Sequence, residues 1–319
     1  MTRFRIRTAA PPVPISPPPG PTDNARIGIL YVLTSTFFFN VLNASAKWLA
    51  ADYSVIEICF FRNVFAFLPC LAIVLLGPGF GSLRTGRLGL HLFRGTAGLG
   101  SMLLVFTSFS LLPIADAVAI SFATPLFLTA LSVPLLGESV GVHRWSAVIV
   151  GFLGILAMAH PSGAGAHLGF ITAIASTGLN ALILVTVRRL GRTEAAVTII
   201  FYQALFGTIG SILLLPFGWK TPNLFDFTVF AGMGLFGVVG HFCLTQAFRY
   251  AAASVVAPFN YTGLLWATLF GYVVWHQLPG ASTALGGLIV IGSGAYIFYR
   301  ETLRKVAVAH AAPPQAGSD

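Results

Sequence analysis

The sequence has very little charge for its length. Only 8% of its 319 residues are charged and 9 are acidic, whereas 56% are hydrophobic and the mean hydropathy is +0.85. A water-soluble globular protein carries about 25% charged residues, so the composition excludes that class. Apolar stretches of about 20 residues recur almost without interruption, and each is long enough to cross a bilayer as a helix. The chain is therefore predicted to be a polytopic membrane protein.

Cysteine and recognisable chemical motifs are also scarce. The three cysteines, Cys59, Cys70 and Cys243, all lie in apolar stretches without metal-site spacing, so we interpret them as packing residues. The seven histidines show no such spacing either, and there is no phosphate-binding loop, nucleophile elbow or pair of intramembrane carboxylates. We expect no catalytic site, no metal and no cofactor. An ATP-driven pump is not expected, because no segment could hold its nucleotide domain.

The two ends of the chain differ from the rest. Residues 1–26 contain arginines, but a run of prolines stands where a signal peptide would need its apolar segment. This segment is predicted to be a disordered, proline-rich cytoplasmic tail. Residues 301–319 are short and polar, and they predict a second cytoplasmic tail.

Between the tails, the sequence predicts ten transmembrane helices. Only helices and closed barrels satisfy backbone polar groups inside lipid, and spans this long and uniformly apolar exclude barrel strands. The connections are too short to hold a soluble domain. The predicted spans are 27–50, 54–77, 89–112, 116–136, 143–160, 167–189, 195–218, 227–249, 253–274 and 281–300.

The basic residues fall mostly on one side of this arrangement. With the N-terminus inside, 15 of the 18 lysines and arginines lie on the inner side, and the exceptions are Lys47, Arg62 and Lys220. Cytoplasmic loops of membrane proteins are enriched in lysine and arginine, so both termini are predicted to be cytoplasmic. This placement also explains the net charge of +9 without a nucleic-acid partner.

Two stretches of the chain resemble each other. ADAVAISFATPLF, from Ala115, matches ASVVAPFNYTGLL, from Ala253, at five positions. They open the fourth and ninth spans, which are five apart, so the second copy would enter the membrane from the opposite side. Alternating-access transporters use such inverted repeats and bind substrate near the midplane. Two inverted five-helix repeats, 27–160 and 167–300, are therefore predicted, and chance similarity between apolar helices is the alternative.

Three segments carry a family resemblance. ADAVAISFATPLFLTALSVPLLGESVGVHRWSAVIVGFLGILAM resembles the first repeat of the EamA-type family of the drug/metabolite transporter superfamily, with Pro125 in the fourth helix and Gly137–Glu138 at its inner end. VVWHQLPGASTALGGLIVIGSGAYIF resembles the close of the second repeat, although Gln277 stands where that family often has a glutamate. EICFFRNVFAFL, in the second span, is also similar. The resemblance covers 27–300 and implies an all-α fold of ten helices in two inverted repeats. It also implies a cavity lined mainly by spans one, three, four, six, eight and nine, and transport of small organic solutes.

Polar side chains inside the first two spans are candidates for function, because such groups are costly in hydrocarbon. Asn40, Asn43 and Lys47 recur on one side of the first span. The asparagines either line a cavity or hydrogen-bond between helices, and Lys47 is expected to reach the interface. Arg62 in the second span is expected to reach either the outer interface or a carboxylate such as Glu57, with which it would form a structural or coupling ion pair.

A second polar group lies in the eighth and ninth spans. With Asn40 and Asn43, its members are the candidate substrate-binding residues: His241, Gln246, Asn260, Tyr261 and Trp266. His241 is the deepest titratable group and the candidate for proton coupling, or else a buried packing residue. Trp266 either stacks on a planar ligand or fills space that faces lipid. Arg94 is expected to anchor the inner interface, and Asn180 and Gln203 are weaker candidates.

Together these features predict a secondary or facilitated transporter of small organic metabolites in a bacterial inner membrane. Import of a metabolite such as riboflavin or S-adenosylmethionine is one expectation, and export of amino acids or drugs is the alternative. An integral membrane enzyme acting on lipids is a remote alternative, because no cluster of ionisable groups is visible at one interface. The expected partners are a small organic solute and the lipid bilayer, with a second copy of the chain as a further candidate.

Overall fold

The computed structural model describes residues 24–77, 79–136, 140–158, 165–190 and 193–311. Within these ranges the chain forms α-helices, three short 3-10 helices and no β-strand. The α-helices are α1 (Ala25–Leu49), α2 (Val55–Leu76), α3 (Leu88–Leu111), α4 (Ile114–Ser121), α5 (Thr124–Leu136), α6 (Val142–Ala157), α7 (Ala166–Leu190), α8 (Ala196–Leu214), α9 (Leu224–Tyr250), α10 (Ala253–Val256), α11 (Thr262–Trp275) and α12 (Ala281–Ala311). The 3-10 helices are Phe80–Leu83, Leu215–Phe217 and Ala257–Tyr261.

The prediction of a polytopic, all-α membrane protein is confirmed. In the described part of the chain, 8 helical stretches are long and apolar enough to cross a membrane, and α6 is a shorter apolar helix. The predicted bounds differ most at the C-terminal end, because α12 continues to Ala311, whereas the sequence predicted a tail from Glu301. The arginine, leucine and alanine residues that follow Glu301 are good helix formers, which explains the extension.

Two of the predicted spans are divided instead of continuous. The fourth span changes from α4 to α5 at Phe122 and Ala123, and the ninth changes from α10 to α11 through a 3-10 segment. Pro125 and Pro258 lie at these breaks, and a proline removes a backbone donor and disfavours the preceding helical turn. α5 and α11 begin at threonines that the two similar stretches align with each other.

The two halves of the chain contribute corresponding helices to the main packing contacts. α1 packs along α9 as α7 packs along α3, and α2 packs on α8, α6 on α12 and α4 on α11. The α1–α9 and α3–α7 interfaces each contain a hydrogen bond from a serine hydroxyl to a backbone carbonyl of the other helix. Ser35 Oγ donates to the Gly240 carbonyl at 2.8 Å, and Ser176 Oγ donates to the Ser101 carbonyl at 3.1 Å. The main contacts are therefore retained when the halves are exchanged.

Helices that correspond between the halves cross in antiparallel directions. At one end of the α4–α11 contact, Ile114 lies against Gly271, and at the other end Phe122 lies against Gly263. Residue numbers thus rise along α4 as they fall along α11. α2 and α8 also pack antiparallel to each other. The same holds for α6 and α12.

Glycines set the spacing of several of these helices. A Cβ on Gly28 of α1 would lie 2.6 Å from a side-chain atom near the end of α9, and one on Gly169 of α7 would lie 2.8 Å from a side-chain atom next to the end of α3. A Cβ on Gly286 of α12 would lie 2.5 Å from the Gly154 carbonyl oxygen of α6. Close backbone approach at small residues is typical of helix packing in membranes.

Candidate functional site

The two helix breaks meet against the middle of α1. The Phe122 ring at the first break lies edge-on to the Tyr261 ring at the second, with 5.2 Å between their centroids. A Cβ on Gly263 would lie 3.4 Å from Asn40 Nδ2 and 3.6 Å from the Phe122 ring. We call this group the break junction, and define it as Thr36, Asn40, Phe122, Tyr261, Thr262 and Gly263.

Asn40 brings an unpaired hydrogen-bond acceptor to the break junction. Its side chain is 3% exposed, and its Nδ2 donates to the Thr36 carbonyl of the same helix at 2.8 Å. Its Oδ1 is buried and has no partner. Leaving such a group unsatisfied costs about 1–3 kcal/mol, so a ligand N–H or O–H that reached Asn40 would relieve that cost.

The backbone at the break junction is interrupted in the middle of two apolar stretches. α5 and α11 both begin there, and the N–H groups of Leu126, Phe127 and Thr262 donate to carbonyls of the preceding turn. Broken helices are tolerated at this depth only where they are buried in protein or line a cavity, and transporters use them to bind substrates and ions.

Some of the predicted substrate-binding residues come together at this place. Asn40 and Tyr261 belong to the break junction, and Asn260 precedes Tyr261 in the 3-10 segment. Asn43 is half-buried one turn further along α1. Trp266 lies outside the junction in an aromatic cluster, with its ring centroid 5.1 Å from that of Phe37.

His241 and Gln246 lie away from the break junction. The His241 side chain is exposed, whereas the sequence predicted a buried histidine. Its ring stands edge-on to the Phe39 ring, with 4.9 Å between the two centroids. Gln246 Oε1 accepts from Arg249 Nη1 at 3.1 Å, close to the C-terminal end of α9.

Glu57 and Arg62 do not form an ion pair with each other. Glu57 is fully buried instead of lying close to the surface, and its Oε2 accepts from the Lys220 backbone N–H at 3.1 Å. Arg62 Nη1 donates to Asn63 Oδ1 at 3.2 Å. Five residues on a helix rotate the side chain by about 140°, which points the two charges at different neighbours. Glu57 thus links the start of α2 to the loop before α9.

A charged group at one end of the bundle was not predicted as a unit. Lys47 Nζ donates to the Phe109 and Leu112 carbonyls, at 2.8 and 2.5 Å, and lies 5.5 Å from the Trp275 ring centroid. Asp116, in the first turn of α4, hydrogen-bonds to the Thr283 side chain. The only sequence signal was that Lys47 shares a face of α1 with Asn40.

A second group that was not predicted lies at the other end of α3. His91 is 1% exposed, and its Nε2 is 3.9 Å from Glu194 Oε2. Thr85 Oγ1 donates to the same carboxylate at 2.7 Å. Arg94, which was expected to anchor the interface, donates to the Ile199 carbonyl at 2.9 Å and so links α3 to α8.

The remaining candidates from the sequence are two polar residues, Gln203 and Asn180, and the family motif Gly137–Glu138. Gln203 is directed toward Gly98 of α3 and its Oε1 has no partner, whereas Asn180 is exposed on α7. Gly137–Glu138 lies outside the described residues. Among those that are described, no group of three or more histidine, cysteine, aspartate or glutamate side chains could hold a metal ion.

Comparisons with known proteins match this architecture along most of the chain. The EamA-like transporter family model matches residues 26–159 and again 167–306. The S-adenosylmethionine uptake transporter of Rickettsia bellii (strain RML369-C) is 28% identical and covers 86% of this chain and 94% of its own length. The riboflavin transporter of Vibrio cholerae is 27% identical, with 86% and 94% covered. The pseudopaline exporter CntI of Pseudomonas aeruginosa (strain UCBPP-PA14) is 26% identical, with 84% and 95% covered.

A solved crystal structure also shares this fold. It covers 88% of this chain and 98% of its own, with a TM-score of 0.59 and 16% sequence identity. The family model and the named relatives are transporters, which agrees with the multiple apolar helices described above. The resemblance and the main functional prediction from the sequence are therefore confirmed. This chain is a multi-pass membrane transporter and a member of the EamA-like transporter family.

Proposed function

We propose that this protein carries a small organic metabolite across the bacterial inner membrane by alternating access, and that the break junction binds the metabolite. The observation that carries this proposal is the meeting of two helix breaks around a buried, unpaired Asn40 oxygen. A ligand that binds at such a junction contacts both halves of the chain, so its binding can influence their relative position.

The proposal includes ten spans arranged as two inverted repeats. Three features support it: one family model matches each half, the main helix contacts persist when the halves are exchanged, and corresponding helices cross antiparallel. The bias of lysine and arginine toward one side favours cytoplasmic termini. A second copy of the chain is retained in the proposal as a candidate partner.

S-adenosylmethionine is the first substrate that we propose. The break junction offers the Asn40 Oδ1 acceptor for an ammonium or amino group, and the aromatic rings of Phe122 and Tyr261 for a planar ring or a cation. S-adenosylmethionine carries all of these groups, and relatives that import it are among the matches. Riboflavin, with a planar ring, one N–H and several hydroxyl donors, is the second substrate that we propose. The pseudopaline exporter among the relatives favours export as a second candidate function.

Transport by purified protein in proteoliposomes tests this proposal. Vesicles would be given labelled S-adenosylmethionine, with riboflavin and amino acids as competitors, and preloaded vesicles would measure efflux. Asn40→Ala is expected to raise the apparent KM about tenfold, because a hydrogen bond worth about 1.4 kcal/mol would be lost. Ser45→Ala is the matched control, since its hydroxyl donates to the Val41 carbonyl within α1. An absence of transport for every compound, or equal KM values for the two variants, would overturn the proposal.

A further inference from the structure

Charged and polar side chains from both halves of the chain meet at one end of the bundle. We call them the Lys47–Asp116 cluster. Lys47 comes from the end of α1 and Asp116 from the start of α4, while the second half supplies the end of α11, the loop after it and the start of α12. The cluster consists of Lys47, Asp116, Trp275, Gln277 and Thr283.

Lys47 is held mainly by groups other than Asp116. Two of its three ammonium protons are directed to the carbonyls that end α3, where the helix dipole favours a positive charge. The face of Trp275 adds a cation–π contact from the second half. Lys47 lies close enough to Asp116 for an electrostatic interaction. The two side chains nevertheless form no ion pair in the structure.

Asp116 is incompletely satisfied in this position. One hydrogen bond joins it to Thr283, while its Oδ1 is buried and has no partner. An ionised carboxylate that lacks donors is costly away from water. Gln277 Oε1 is a second buried oxygen without a partner, and the backbone of Gln277 lies against Gly271, next to the start of α4. Asp116 Oδ1 is therefore a buried acceptor without a donor.

The elements around α4 offer few other charges. α1 supplies Lys47, α12 supplies the Thr283 hydroxyl, and the end of α3 supplies carbonyl groups. His167 at the start of α7 and His276 after α11 are both exposed. Among these groups, Lys47 is the one that interacts electrostatically with Asp116.

We propose that Asp116 is the proton-binding group of this carrier. With Lys47 bound to the α3 carbonyls, as the structure has it, Asp116 would hold one proton taken from the water at this end of the bundle. When Lys47 turns to the carboxylate, the proton returns to water and an ion pair replaces the carbonyl contacts. The Lys47–Trp275 and Asp116–Thr283 contacts join the two halves of the chain. Movement of Lys47 from the α3 carbonyls to Asp116 would therefore change how closely the halves pack at this end of the bundle. This coupling role rests on the proposed transport function, whereas proton binding itself does not.

Infrared difference spectroscopy of the full-length protein in lipid nanodiscs tests the proposal without a substrate. On acidification, the wild type is expected to gain a carboxylic-acid C=O band that Asp116→Asn lacks. Asp52→Asn is the control, because Asp52 is exposed and 3.6 Å from Lys220 in a loop, and it should retain the band. Lys47→Gln is expected to move the midpoint of the band upward by roughly one pH unit, because a nearby positive charge is lost.

Further outcomes separate this proposal from its rivals. An unchanged band in Asp116→Asn, or an unchanged midpoint in Lys47→Gln, would overturn it. A signal that follows sodium concentration at fixed pH would also overturn it, because the unpaired oxygen would then belong to a cation site. Should Asp116→Asn fail to fold, Asp116→Glu retains a carboxyl group and should shift the band frequency, and an unshifted band would contradict the assignment. Normal titration in a protein that transports nothing would refute the transport proposal alone.

Discussion

Replacing Gly286 with alanine tests how strongly the two halves depend on the contact between α6 and α12. The added Cβ would lie 2.5 Å from the Gly154 carbonyl oxygen and 2.6 Å from Met158 Cγ. Ordinary contact begins at 3.4 Å, so the helices must separate by almost 1 Å along part of their length. The obstructing oxygen belongs to backbone, which cannot turn aside as a side chain could.

The expected loss of stability follows from two opposing effects. Overpacking of this kind costs about 1–3 kcal/mol, whereas replacing glycine with alanine inside a helix returns up to about 1 kcal/mol. The net free energy of unfolding should therefore fall by about 1–2 kcal/mol. At about 2–4 °C per kcal/mol, the melting temperature should fall by several degrees.

The buried cysteines of the protein provide the assay. A thiol-reactive fluorophore would report exposure of Cys59 and Cys243 on heating in detergent, since both are buried in the folded chain. Gly292→Ala is the matched control on the same helix, because a Cβ there meets nothing within 4 Å. That variant should melt at or above the wild-type temperature. Equal melting temperatures for Gly286→Ala and Gly292→Ala would refute the reasoning.

Three further predictions address other parts of the chain. A hydrogen bond to Asp226, followed by burial, raises the pKa of Tyr53. The stability that Tyr53 contributes is thus complete below about pH 10 and lost as pH rises through the raised value, so Tyr53→Phe should flatten the alkaline decline in melting temperature. Reporter fusions at Ser82 and Ala311 should both signal the cytoplasm, and an outside signal at either would contradict the proposed topology. In vesicles with a pH gradient, His241→Gln should accumulate substrate as the wild type does, while Asp116→Asn should not; the reverse result would return the coupling role to His241.

The apolar helices could be predicted from the sequence, but the helix breaks could not. Hydropathy identifies a span because burial in lipid depends on composition over many residues. Proline is an ambiguous signal at this depth, since neighbouring helices can satisfy the backbone groups that it frees. α2 and α5 continue through Pro69 and Pro134, whereas breaks occur at Pro125 and Pro258. Which prolines break a helix depends on packing that is remote in sequence.

The candidate site was predicted in part for the same reason. Asn40 is recognisable because an amide inside an apolar span is unusual, whatever the fold. Asp116 was assigned to a helix end, and its burial depends on how α4 packs against α1 and α12. The predicted pairing of Glu57 with Arg62 relied on closeness in sequence, whereas a residue from another loop, Lys220, supplies the actual partner of Glu57.

Thiol accessibility at the break junction tests the central claim most directly. In a chain whose three cysteines are replaced by alanine, Thr262→Cys would be exposed to a membrane-impermeant thiol reagent from each side of sealed vesicles. Leu265→Cys, exposed on the outside of the same helix at 70%, is the lipid-facing control. We predict that the thiol at position 262 reacts from both sides and that S-adenosylmethionine slows both reactions, while position 265 stays unlabelled. Reaction from neither side, or labelling only by a lipid-soluble reagent, would contradict a transport path through the break junction.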